Sequence, residues 1–231
     1  MIFQYGRLWP DHPFRFRIPY QTLSGPASAT REYRLCKPDF KSTIFGLLED
    51  LDDEQLVYWC MDDKYPITLH RTGIQSLLPF VFDLPSSVSG LMFCRCRDTL
   101  EKRALTGESI RTPDGYRLLR RSGYQQIWLH QFIRVKVLLH LFQSFPDNIR
   151  FAKQMDPLKN TISLPASHGL YVTRRNLAVF GESTTRGKLT ANCVQSMGRY
   201  DQAIPASFAL DNRHIVMGKQ PLLRWPRAWV G

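Results

Sequence analysis

No apolar run in this 231-residue chain approaches the roughly 20 residues needed to span a bilayer, and the N-terminus carries no signal-peptide pattern. A block of five like charges is also missing, so the sequence has no simple polyanion-binding tail. Cysteine is scarce and odd in number: Cys36, Cys60, Cys94, Cys96 and Cys193, five in all, mostly in apolar runs. That pattern predicts reduced, buried thiols in a cytoplasmic protein rather than a disulfide framework. Cys94 and Cys96 have no second cysteine pair and no histidine at ligand spacing, which argues against zinc. Neither H-E-x-x-H nor G-x-S-x-G occurs, so zinc-protease and α/β-hydrolase chemistry have no support. "GESTTRGK" (Gly181–Lys188) has five residues between its glycines, and Leu189 follows the lysine. A phosphate-binding P-loop has four residues there and Ser or Thr after the lysine. The extra residue changes which backbone N–H groups converge, leaving a surface loop or an anion-binding helix start as readings.

What is present is a folding composition: 43% hydrophobic, 12% aromatic and 22% charged. The length fits one domain with a sizeable core. Thirty-one Lys+Arg against 20 Asp+Glu give a net charge of +11. Such an excess favours polyanions: nucleic acid, an anionic membrane surface or a phosphorylated small molecule. Solubility alone is the competing reading. The charge is spread out, denser at Arg111–Arg121 and in the last stretch, where Trp225 and Trp229 offer stacking surfaces for a nucleic-acid-binding module.

Along the chain, alternation at Phe14, Phe16 and Ile18 predicts a strand over 14–18 ended by Pro19. Ser24–Thr30 reads as a loop. Asp39 is placed to cap a helix running to about Leu51, with Phe40, Ile44, Leu47, Leu48 and Leu51 on one face. Gln55–Met61 is a nearly continuous apolar run after that helix, which predicts a strand covered on both faces, as in a parallel sheet. Leu69–Phe82 has a helical pattern, Gly90–Cys96 and Tyr116–Arg121 read as strands that pair with each other, and Ile127–Phe142 is the longest helical pattern. A short helix over 148–154, a strand at His168–Thr173 and a helix at Lys188–Met197 follow. Alternating strands and helices make the class α/β. The expected division is a domain over 1–205 and a basic C-terminal tail over 206–231.

One segment carries specific chemistry. In "LVYWCMDDKYPI" (Leu56–Ile67) a buried strand ends on Asp62 and Asp63. Open α/β sheets bind ligands beyond their strand ends. Adjacent like charges need a counter-charge, and hard carboxylate oxygens suit Mg²⁺ or Mn²⁺ carrying a diphosphate. An ordinary strand end, neutralised by Lys64 and water, is the alternative.

"VYWCMDDKYPI" resembles the acidic strand end of GT-A-type nucleotide-sugar glycosyltransferases, closest to small microbial and viral members ending in DDKY or EDY. "WPDHPFRF" (Trp9–Phe16), "GYQQIWLHQFIRVKVLL" (Gly123–Leu139) and "FPDNIRFAKQMD" (Phe145–Asp156) are similar to further segments of that group, so the resemblance spans about residues 9–205. It implies a three-layer sandwich on a mixed, mainly parallel sheet. It also implies transfer of a sugar from a nucleoside diphosphate donor to a glycan or other hydroxyl acceptor. Asp62 and Asp63 would hold Mn²⁺ or Mg²⁺, with Asp63 the direct ligand, and Lys64, Arg120 and Arg121 would contact phosphate. Asp156 and Glu182 are the candidates to take the acceptor proton, and Gln125, Gln126 and Trp128 would shape the sugar pocket. GT-A domains open with an apolar nucleotide-gripping strand, whereas "MIFQYGRLW" holds no convincing one. A nucleic-acid-binding module and a catalytically inactive glycosyltransferase-like domain are the alternatives.

Overall fold

The computed structural model describes residues 2–22, 24–26, 28–62, 64–93, 104–182, 184–185, 188–204, 206 and 210–211. Helix α1 (Ile2–Leu8) occupies the N-terminal stretch, held by Tyr5, which is fully buried against Phe14, Phe16, Tyr58 and His130. β1 (Phe16–Tyr20) and β2 (Arg31–Leu35) pair in parallel as a separate two-stranded sheet. β1 runs through Pro19, where a strand end was expected. Phe16 and Tyr20 bond to the β2 side, so the alternate residues Arg17 and Pro19 face away from it. Proline is tolerated where a strand has no ladder partner for its nitrogen.

Asp39 caps α2 (Phe40–Leu48) as expected, its Oδ1 accepting from the Ser42 N–H at 2.8 Å. β3 (Leu56–Trp59) follows, then β4 (Lys64–Leu69) and α3 (Arg71–Phe82), whose first turn is capped by His70 Nδ1 accepting from the Gly73 N–H at 3.0 Å. β5 is Val88–Met92, β6 Leu105–Arg111 and β7 Arg117–Arg121. β8 (Gln131–Arg134) leads directly into α4 (Val135–Gln143), and α5 is Ala152–Leu158. The chain continues through β9 (Gly169–Thr173), β10 (Ala178–Glu182), β11 (Thr184–Thr185), β12 (Lys188–Thr190), α6 (Ala191–Arg199) and β13 (Leu210–Asp211).

The central sheet has six strands in the order β3-β8-β5-β9-β7-β6. Only β5 and β9 run in parallel; the other four pairings are antiparallel. The α/β class holds, but the expected mainly parallel sheet is corrected to a mixed, mainly antiparallel one. An apolar run reports that both faces of a strand are covered, not its direction, and β3 has cores on both sides. Leu56 and Tyr58 belong with the cluster of Trp9, Ile74 and Leu91. Trp59 packs with Ile44, Leu138 and Phe142 on the other face, under α2 and α4.

The 127–142 pattern is likewise a strand followed by a helix. β8 is inserted between β3 and β5, so Gln131, Phe132 and Ile133 are all buried, and burial on every side removes the periodicity that separates helix from strand. β7 pairs with β6 and β9 rather than with β5. The "GESTTRGK" stretch is strand through much of its length rather than a loop opening a helix: β10 pairs with β4 and β11 with β12. The short helix expected over 148–154 starts later, at Ala152, after Gln154 Oε1 accepts from the Arg150 and Phe151 N–H groups at 3.2 Å. Cys36, Cys60 and Cys193 are free thiols; Cys94 and Cys96 lie outside the described residues, as does most of the 206–231 tail.

Candidate functional site

The end of β3 is fastened from two sides. Trp59 donates its indole N–H to the Ile127 carbonyl at 2.8 Å, and His130 Nε2 meets the Met61 carbonyl at 2.9 Å. Because that carbonyl can only accept, Nε2 carries the proton and Nδ1 accepts from Tyr5 Oη at 2.6 Å. Tyr5 in turn bonds Tyr58 Oη at 2.8 Å. Burial holds His130 neutral, pushing its pKa down to about 3, with the Lys64 charge acting in the same direction.

These anchors deliver Asp62 to the exposed turn between β3 and β4. Asp62 makes no ion pair among the described residues, so its carboxylate is a hard oxygen donor open to solvent. Asp63 lies outside the described residues. Among the described residues no three His, Cys, Asp or Glu side chains cluster to hold a metal ion. Lys64 opens β4, and its partner across the ladder is Glu182 on β10. The backbone register therefore places Glu182 beside the acidic turn.

Asp156 on α5 joins this end of the molecule. Its Oδ1 accepts from the Trp128 indole N–H at 2.7 Å and from the ammonium of Lys159. Lys159 is nearly enclosed, and its Nζ also donates to the Asp156 carbonyl at 2.8 Å. Partial burial raises the Asp156 pKa, but the Lys159 and Trp128 hydrogen bonds and the charges of Lys159 and Lys64 outweigh it, leaving the carboxyl below its ordinary value. Asp156 is thus a fixed, ionised acceptor within electrostatic reach of Lys64, two residues from Asp62. The Trp128 ring packs against Phe40 and Phe142 with centroids 6.0 and 6.3 Å away, which fixes the direction of its N–H. Lys159 was not among the expected residues. The Asp-x-x-Lys spacing at 156–159 is its only sequence signal.

The remaining candidates lie elsewhere. Arg120 on β7 pairs with Glu108 of β6 at 2.6 Å and donates to the Ala166 carbonyl at 3.3 Å, at the opposite edge of the sheet from β3. Arg121 is completely buried; it donates to Gln131 Oε1 at 2.7 Å and to the Gln125 carbonyl, and burial lowers its pKa to about 10. It fastens the 125–131 segment from inside rather than offering a cation to solvent. The Gln126 carbonyl accepts from Gln131 Nε2 at 3.4 Å, and Gln126 itself adopts a positive φ of 61°. That left-handed turn sets the direction in which the chain leaves for Trp128. Comparison with protein-family models, with curated proteins and with solved structures finds no match to this chain.

Proposed function

We propose that the chain is a metal-dependent glycosyltransferase of GT-A-like architecture, moving a sugar from a nucleoside diphosphate donor to a hydroxyl acceptor. The observation that carries this reading is that Asp156, bonded to Trp128, lies within electrostatic reach of Lys64, which opens β4 two residues after Asp62 and has Glu182 opposite it in the ladder. Asp62 and Asp63 would hold Mn²⁺ or Mg²⁺, for which the exposed Asp62 carboxylate, without an ion pair among the described residues, is a suitable donor. The ion, when bound, would offset negative charge on the departing diphosphate. Lys64 adds a cation at the same end. Asp156, held ionised by Trp128 and Lys159, is suited to accept a hydroxyl of sugar or acceptor and orient it. A carboxylate with a lowered pKa is a weak proton acceptor, which leaves Glu182 as the base.

The second reading is a donor-binding domain without turnover. It is favoured by Asp156, whose pairing with Lys159 and lowered pKa make it a poor acceptor for the proton that turnover releases. Calorimetric titration with UDP-, GDP- and TDP-sugars in Mn²⁺ tests both. The proposal expects metal-dependent binding by the wild type that is lost in Asp63→Ala, together with sugar transfer to an acceptor. Equal binding by Asp63→Ala, or none by the wild type, would sink both readings, and binding without transfer would leave the second.

A further inference from the structure

A cleft of about 460 Å³ separates the two-stranded sheet from the six-stranded one, lined by consecutive residues 13–17 on one side and 55–60 on the other. Its walls are two strand edges. On β3, the Gln55 carbonyl accepts from the Val135 N–H at 3.0 Å, so Gln55, Val57 and Trp59 turn their peptide groups toward β8. Leu56, alternate to them, turns its own into the cleft. On β1, Phe16 donates to the Thr30 carbonyl at 2.8 Å and Tyr20 accepts from the Cys36 N–H at 2.9 Å, so even-numbered residues bond to β2. The peptide groups of Arg15 and Arg17 face the other way, toward β3. Neither Leu56 nor Arg17 has a backbone partner among the described residues. The floor is the apolar face of α2, whose Ile44, Leu47 and Leu48 run beneath the gap from β1 toward β3.

We infer that this cleft is a docking site for one extended peptide strand of a partner, which adds to the edges of β3 and β1 and joins the two sheets into one. Its backbone pairs with the open edges, as in other strand-addition interfaces. Its side chains lie between the same two cores that cover β3, so it is apolar on both faces. Charge fixes one end. Among the described residues, Arg15 and Arg17 at the mouth and Arg34 beside them ion-pair with Glu32 and Asp50 alone. Arg15 is the least compensated, its side chain 65% exposed and 3.5 Å from Glu32. The strand therefore carries a carboxylate at the Arg15 end. Phe14 and Tyr58, stacked across the gap with centroids 4.3 Å apart, part to admit it. The inference rests on strand edges and cleft shape and is independent of the glycosyltransferase reading.

The probe is a fluorescein-labelled, capped peptide of about six alternating valines and isoleucines, preceded by aspartate and followed by lysine, added to the full chain. A control peptide is N-methylated at alternate amides, which removes its pairing edge and leaves its apolarity. The expected result is saturable polarisation with slower amide exchange at Leu56 and Arg17. Binding should fall at least about tenfold with the N-methylated peptide, roughly the loss of one or more net hydrogen bonds. Leu47→Trp, which fills the floor, should weaken it similarly while circular dichroism stays native. Equal affinity for the two peptides, unchanged exchange at Leu56, or no saturable binding would overturn the proposal.

Discussion

Replacing His130 with glutamine should change how the stability of this protein depends on pH. In the fold His130 is fully buried and neutral, bonded to Met61 and Tyr5, and burial lowers its pKa from 6.5 to about 3. The unfolded chain takes up the proton near the ordinary value while the native state refuses it. A depressed folded pKa on a base contributes stability that is present above pH 6.5 and lost as pH falls toward 3. Between about pH 7 and about pH 5 the loss amounts to about 2 kcal/mol, since each pH unit below the unfolded pKa costs about 1.4 kcal/mol. Urea unfolding of wild type and His130→Gln, at several pH values across that range, isolates this contribution because the other titrating groups are common to both. At neutral pH the variant should be less stable by about 1–3 kcal/mol, because the Met61 carbonyl and Tyr5 hydroxyl lose their aligned imidazole partner and Tyr5 keeps only Tyr58. By about pH 5 the gap should shrink by about 2 kcal/mol and can close. Parallel stability curves would refute the reasoning.

Three further outcomes follow from single contacts. Asp39→Ala removes the acceptor for the Ser42 N–H and should cost about 1 kcal/mol in thermal or urea unfolding. Gly169→Ala would put a Cβ 2.1 Å from the Ser87 carbonyl oxygen; backbone must move there, so a loss of about 1–3 kcal/mol is expected, and a neutral result would mean the β5–β9 contact is looser than that distance implies. Trp128→Phe removes a hydrogen bond that holds Asp156 ionised, so carboxyl NMR titration should find the Asp156 pKa raised. An unchanged titration would assign the lowered value to the Lys159 bond and the charges of Lys159 and Lys64.

How much of this was legible in the sequence depended on whether the deciding force was local. The α2 helix was readable because Asp39 caps it from one residue away and its apolar stripe faces one core. β3 and the turn at Asp62 were readable because a short apolar run that stops on two aspartates marks a strand leaving the core for solvent. Strand direction was not, because β8, much later in the chain, is what pairs with β3. The same insertion hid β8 within an apparent long helix, since Phe132 and Ile133 bury themselves on opposite faces. The resemblance implied that Arg121, in a basic stretch, contacts phosphate, and only tertiary packing reveals that it is enclosed and bonded to Gln131. The approach of Asp156 to Lys64 joins residues far apart in the chain and has no local signature.

The central claim is that the Asp62 turn and the Trp128–Asp156 pair form one metal–diphosphate site. Mn²⁺ added with UDP to indole-¹⁵N-labelled protein tests it directly, because the paramagnetic ion broadens nearby nuclei. The account predicts selective broadening of the Trp128 indole resonance, lost when Asp62 and Asp63 are both replaced by asparagine. A Trp128 signal indifferent to Mn²⁺ and UDP, or broadened equally in the double variant, would contradict it.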